Sequence, residues 1–150
     1  MKKIFFIVLI IASSLLFSKG NNLASITDFS GDVYIQTTGG KNIKTEAIIG
    51  RSINNGDIVI VLNGAYCEIS FKDKRTIVNI DSNSEVKFIS KNKTREMYLR
   101  SGSLYAYNVS KYSTIGTFVF SKYSQTYLTN SKVWISTNNR DYDQIYTFGE

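Results

Sequence analysis

NGDIVIVLNGAYCEISFKDKRTIVNI, residues 55–80, contains three short apolar runs separated by turns, and their reading decides the fold. In the middle run Cys67, Ile69 and Phe71 alternate with Tyr66, Glu68 and Ser70. That two-residue period marks a strand with one buried face. Asn55-Gly56-Asp57 ahead of the first run and Asn63-Gly64 behind it are turn chemistry, because Asn and Gly tolerate positive φ. Cys67, the only cysteine, falls on the apolar face and reads as a small core residue. The chain has no histidine, so the thiol has no imidazole base, and a lone cysteine forms no internal disulfide.

The same grammar extends in both directions. Runs rich in Val, Ile, Tyr, Phe and Thr occur at 32–36, 57–62, 66–71, 75–80, 85–89, 96–99, 103–109, 117–120, 125–129, 132–136 and 144–148. Between them stand TGGK, NNGD, KDK, DSNS, KNK, RSG and TNNRD, all turn formers. Strand starts at 57, 66, 75 and 85 are almost evenly spaced, and no window sustains a helical apolar period. The expected fold is therefore all-β, a single domain of many short strands in a sandwich-like or twisted solenoid-like arrangement. Proline is absent, so lysines in the turns are expected to guard the sheet edges.

The first 20 residues, MKKIFFIVLIIASSLLFSKG, read differently. Two lysines precede an apolar run from Ile4 to Phe17, and Ser18 and Gly20 place small residues before a cut after Gly20. This is the form of a secretory signal peptide, and the run is shorter than the roughly 20 residues of a spanning helix. The expectation is an exported domain, 21–150, without a stable membrane span, in the periplasm or outside the cell. Three of the 18 basic residues lie in the leader, leaving 15 against 12 acidic ones, a net charge of +3. Such a mildly basic, mixed surface does not point to nucleic acid.

Several segments resemble the FecR domain family. The matching marks are Gly31-Asp32-Val33, Gly50 followed by Gly56-Asp57-Ile58, Glu68-Ile69-x-Phe71-x-Asp73, Asn83-Ser84-x-Val86 and Leu99-x-x-Gly102-x-Leu104. They cover residues 26 to about 120 in order. Gly31, Asp32, Gly56, Asp57 and Gly102 are read as backbone-shaping positions, with Gly102 allowing two strands to meet closely. The family pattern departs at FSKYSQTYLTNSKVWIS, where its Thr-Pro and Gly-Thr pairs are missing, although Trp134 keeps the aromatic strand. The chain stops at TFGE, where the family commonly continues, which implies a shortened member or a truncated end. The resemblance implies a bacterial, twisted solenoid-like β domain. The best-known members relay signals across the envelope from a membrane-anchored position, but no cytoplasmic regulatory segment is recognisable here.

For chemistry the sequence offers little. Asp28, Asp32, Asp57, Asp73 and Asp81 fall at turns or strand ends, where Asp serves backbone geometry. Asp81, Asn83 and Glu85 alternate like a calcium loop but lack its glycine and distant glutamate. No catalytic residues, metal ligands or cofactor are assigned. Six of the ten tyrosines lie between 98 and 127 with Arg95, Arg100, Lys111 and Lys122 among them. Period-2 alternation puts Tyr105 and Tyr107 on the face opposite Leu104 and Ala106, and the resemblance at Leu99-x-x-Gly102-x-Leu104 implies Leu104 inward and the tyrosines outward; Tyr105, Tyr107, Arg100 and Lys111 are the candidate binding surface. The expected partner is another envelope or surface protein, and the alternative ligand is a glycan stacked on the Tyr-rich segment.

Overall fold

The computed structural model describes residues 22–38, 43–109, 114–137 and 141–148, so the expected leader, 1–20, lies outside the described residues. The described chain is all β, with thirteen strands and no helix. They are β1 (Asn22–Ser30), β2 (Val33–Thr37), β3 (Ile43–Glu46), β4 (Ser52–Asn54), β5 (Ile58–Val61), β6 (Tyr66–Phe71), β7 (Thr76–Ile80), β8 (Ser84–Lys91), β9 (Thr94–Asn108), β10 (Gly116–Phe120), β11 (Gln125–Leu128), β12 (Ser131–Thr137) and β13 (Gln144–Phe148).

All thirteen belong to one curled sheet, and β9 is where it folds over. Residues 94–101 of β9 pair with β8 and, in parallel, with β10. Residues 102–108 pair with β7 and β12. A back half therefore runs β3-β2-β5-β8-β9-β10-β11, and a front half runs β4-β1-β6-β7-β9-β12-β13. Their inner faces meet. Phe71 on β6 approaches Phe88 on β8 with ring centroids 6.1 Å apart. Ile69, Val78, Leu104 and Ile135 from the front and Val59, Val86, Met97 and Val119 from the back are wholly buried between them. Each such side chain stabilises the fold by about 1.5–3 kcal/mol. Cys67 is among them, and burial, followed by the charges of Asp28 and Glu68, pushes its thiol up to about 12.

The even spacing of the sequence has a simple cause. β5 with β6, β7 with β8, and β9 alone form three long strands, each bent at mid-length from one half to the other. The bends fall at Gly64, Asn83 and Gly102, nineteen residues apart, all with positive φ. Tight hairpins at Lys74 and Asn92, also at positive φ, join these long strands within a half. Two strands per bent unit give starts nine or ten residues apart.

The bends stack and are bonded to one another. The Asn83 N–H donates to the Leu62 carbonyl at 3.3 Å. The Ser84 hydroxyl accepts the Ser103 N–H at 2.9 Å and donates to the Ser103 carbonyl at 3.0 Å. At Gly102 (φ 83°) a Cβ would lie 2.1 Å from Ser84 Oγ and 2.6 Å from the Asn83 carbonyl oxygen, so only glycine fits. Gly31 (φ 71°), between β1 and β2, meets the same limit, with a Cβ falling 2.8 Å from that of Ala65. Asp32, beside it, is exposed, and its carbonyl accepts the Leu62 N–H at 3.0 Å. Gly56 and Asp57 brace another corner: the Gly56 N–H donates to Phe88 and the Phe88 N–H to Asp57, at 2.8 and 2.9 Å.

One expectation needs correction. RSG, read as a turn between two strands, is instead the middle of the fifteen-residue β9, with a bulge opposite the Glu85–Val86 step. Gly102 does let two strands meet closely, β9 against the bend between β7 and β8, and it also bends β9 itself across the two half-sheets. The sequence reading also passed over β1, β3 and β4. β1 buries only Ala24 and Ile26, its register shifts after Ile26, and β3 is an exposed edge, so neither carries sustained alternation. β4 has three residues.

Gly102→Ala is expected to cost at least about 3 kcal/mol, because strained φ and a clash with fixed backbone combine. Gly64→Ala (φ 72°), with nothing within 4 Å of the added carbon, is expected to cost only about 1–2 kcal/mol. Urea midpoints of the two variants check the ordering.

Candidate binding surface

Tyr105 and Tyr107 point outward from the front half, while Leu104 and Ala106 are fully buried, as expected from alternation together with the family likeness. Neither tyrosine stands alone. Tyr105 lies between Asn79 of β7 and Trp134 of β12, and Trp134 is opposite Tyr146 of β13. Tyr107 lies between Ile77 and Lys132, and Lys132 is opposite Phe148. Five aromatic side chains thus form two rows across β9, β12 and β13. Trp134 and Tyr146 have centroids 5.6 Å apart, and Tyr105 and Phe148 6.3 Å, both tilted. The Lys132 ammonium sits over the Tyr107 ring, 5.1 Å from its centroid. The Trp134 indole N–H donates to Asp81 at 3.2 Å, and the same carboxylate oxygen accepts Ser103 Oγ at 2.8 Å. Asp81 is thereby a brace for the aromatic row.

The Tyr-rich segment does not form one surface, which corrects the expectation drawn from its clustering. The bend at Gly102 sends Tyr98 to the outer face of the back half, away from Tyr105 and Tyr107. There Tyr98 stacks on Phe120 at 4.8 Å with 12° between ring planes, and Phe118 packs on Tyr127 at 4.8 Å. Arg100 belongs to this back face, paired with Glu85 at 2.6 Å. It does not join Tyr105 and Tyr107. Lys111 lies outside the described residues. Arg95 is not on a surface at all. It is buried at the end of the core, 5.1 Å from the Phe71 ring centroid, and grips Asp73 with both terminal guanidinium nitrogens, Nη1 also reaching Thr76 at 3.2 Å.

Trp134, Tyr146 and Phe148 were missed as surface partners of the tyrosines. Alternation in KVWIS and QIYTF assigns them to one face each, but strand pairing with β9 is not written in either segment. The carboxylates at turns are engaged structurally: Asp57 accepts the Asn54 N–H at 2.8 Å, and Asp28 accepts the Tyr66 hydroxyl. Among the described residues no three His, Cys, Asp or Glu side chains converge, and no helix is long and apolar enough to cross a membrane.

Comparison with known proteins found no matching family model, no similar curated protein and no solved structure of matching fold. The likeness to FecR domains therefore rests on the motif residues alone.

Burial by itself would raise the Asp73 carboxyl, but hydrogen bonds from Arg95 and the Arg75 N–H, with the charges of both arginines, outweigh it and hold it below the ordinary value. Asp143 is lowered in the same way, burial being outweighed by bonds from Ser121, Ser124, Thr137 and the Tyr123 N–H. A carboxyl depressed in the folded state adds stability above its unfolded value, about 3.9, and that contribution is lost as pH falls through the folded value. Wild-type stability is therefore expected to drop on acidification below about pH 4, and Asp73→Asn/Asp143→Asn should flatten that drop. Urea titrations across this range read the difference.

Proposed function

We propose that the chain is a non-enzymatic, exported FecR-like module that docks another envelope or surface protein through the outer face of its front half and the adjoining edge strand β13. The observation carrying this reading is the state of β13. Among the described residues it pairs only with β12, it bears no charged side chain, and Tyr146 and Phe148 are 57% and 49% exposed. Ile145 stands opposite the fully buried Ile135 yet is 40% exposed, so the core-side strip of β13 lacks cover. Sheet edges are commonly blunted by shortness or charge. β4 has three residues and β3 carries Lys44 and Glu46, whereas β13 has neither guard. An extended segment added alongside β13 would satisfy its free backbone groups and cover Ile145.

The aromatic rows favour a protein over a sugar. Sugar stacking needs an open ring face, but Lys132 occupies that of Tyr107, and Tyr105 is wedged among Trp134, Asn79 and Phe148. What remains outward is a mixed apolar strip of the kind that marks protein contacts. The export part of the reading rests on the form of the first 20 residues.

The test pairs wild type with Ile145→Lys/Tyr146→Lys, which gives β13 the guard it lacks. Exposed substitutions of this kind are expected to shift stability by only about 0.5 kcal/mol each. Affinity capture from envelope extract, quantified by mass spectrometry, should recover a protein with wild type that the variant loses, while a glycan array stays blank for both. Array binding abolished in the variant would establish the sugar reading instead. Capture undiminished in the variant would remove β13 from the interface.

A further inference from the structure

The outer face of the back half carries a separate groove of about 450 Å³. Lys87, Arg100 and Lys122 stand around it, and Ile89, Tyr98 and Phe120 supply its apolar wall. No carboxylate lines it. Three acids bond residues of its wall, and each is engaged: Glu85 holds Arg100 at 2.6 Å, Glu96 accepts the Tyr98 hydroxyl at 2.7 Å and pairs with Lys91 at 3.6 Å, and Asp143 accepts Ser121 Oγ and, at 3.1 Å, the Tyr123 N–H. Lys122 leans over Tyr123, 4.7 Å from the ring centroid, and neither Lys87 nor Lys122 forms an ion pair among the described residues. Lys87 and Lys122 are thus two cations on the groove without an acidic partner among the described residues.

The aromatic wall says more about the ligand. Neighbouring strands in a sheet lie about 4.7–4.9 Å apart. Tyr98 and Phe120 are direct cross-strand partners whose parallel rings are 4.8 Å apart. The two rings therefore stand on edge, each using a face against the other. What they turn to solvent is ring rim, the electropositive part of an aromatic quadrupole, which suits an anion and gives a sugar no platform. Arg100 already holds one carboxylate, that of Glu85, which shows the chemistry this rim accepts. The guanidinium has further donors in its planar fork for a second one.

We infer that this groove is a second binding site, taking the carboxylates of an acidic, extended peptide segment. Glutamate side chains match it: methylenes against Ile89 and the ring edges, carboxylates toward Lys87, Arg100 and Lys122. The site faces away from the front-half aromatic rows, so it stands or falls independently of the docking role proposed for β13.

Fluorescence anisotropy with labelled octaglutamate tests the inference on the full chain. Lys87→Glu/Lys122→Glu reverses two groove charges. Lys72→Glu/Lys74→Glu makes the same change of net charge on the exposed β6–β7 turn. Binding to wild type is expected to weaken with added salt, as charge-driven binding does. The groove pair should lose at least about tenfold in affinity and the turn pair less than about threefold, since like-charge contact acts locally. Equal losses in both pairs would show attraction to net charge only and would overturn the site. Polygalacturonate binding through Lys87 and Lys122, with octaglutamate failing to bind, would overturn the peptide assignment. Unchanged circular dichroism and melting of both variants tie any loss to the surface.

Discussion

The stacked bends at Gly64, Asn83 and Gly102 are the constraint on which the rest of the molecule depends. Three long strands change half at the same level, and each bend is bonded to the next. Ser84 is the clearest case, serving both the N–H and the carbonyl of Ser103 across the bend of β9. Because Gly102 leaves no room for a Cβ, the strands approach closely enough for these bonds to form. A bend displaced by one residue would reverse which side chains face the core, since strand faces alternate with a period of two. The position of the bends therefore fixes both the core and the outer surfaces.

From that constraint the functional geometry follows. A single strand, β9, presents Tyr105 and Tyr107 on one side of the molecule and Tyr98 and Arg100 on the other. The front side continues into an unguarded edge strand, the one proposed above to dock a protein. The back side gathers three cations around rings that stand on edge. The pair of buried Arg95 and solvent-facing Asp73 belongs to neither surface. It closes one end of the core, where breaking it by removing one partner would leave a charge without its mate.

Much of this was legible in the chain. Alternation in AYCEISF placed Cys67 inside, alternation in SLYAYNV put Leu104 and Tyr105 on opposite faces while the family likeness turned Leu104 inward, and the glycines at 31, 56 and 102 marked tight backbone positions. The family likeness pointed to the same glycines. What escaped the sequence has physical reasons. β1 and β3 bury too few side chains to print a pattern, and β4 is too short. RSG looks like a turn because a bend between two half-sheets and a hairpin call for the same residue types. The two-sidedness of the tyrosines was hidden for the same reason: period 2 assigns a face only within a straight segment, and β9 is not straight. The pairing of β12 and β13 beside β9, which assembles the aromatic rows, is a long-range fact that local pattern does not carry.

The central claim is that β9 is one strand folded at Gly102 so that the two halves close upon each other. Nuclear Overhauser contacts test it most directly. The account predicts cross-peaks between the ring protons of Phe71 and Phe88, whose centroids are 6.1 Å apart, together with a contact between the Ser103 amide and the Ser84 side chain. A hairpin turn at 100–102, with Phe71 and Phe88 showing contacts only to residues of their own half, would contradict it.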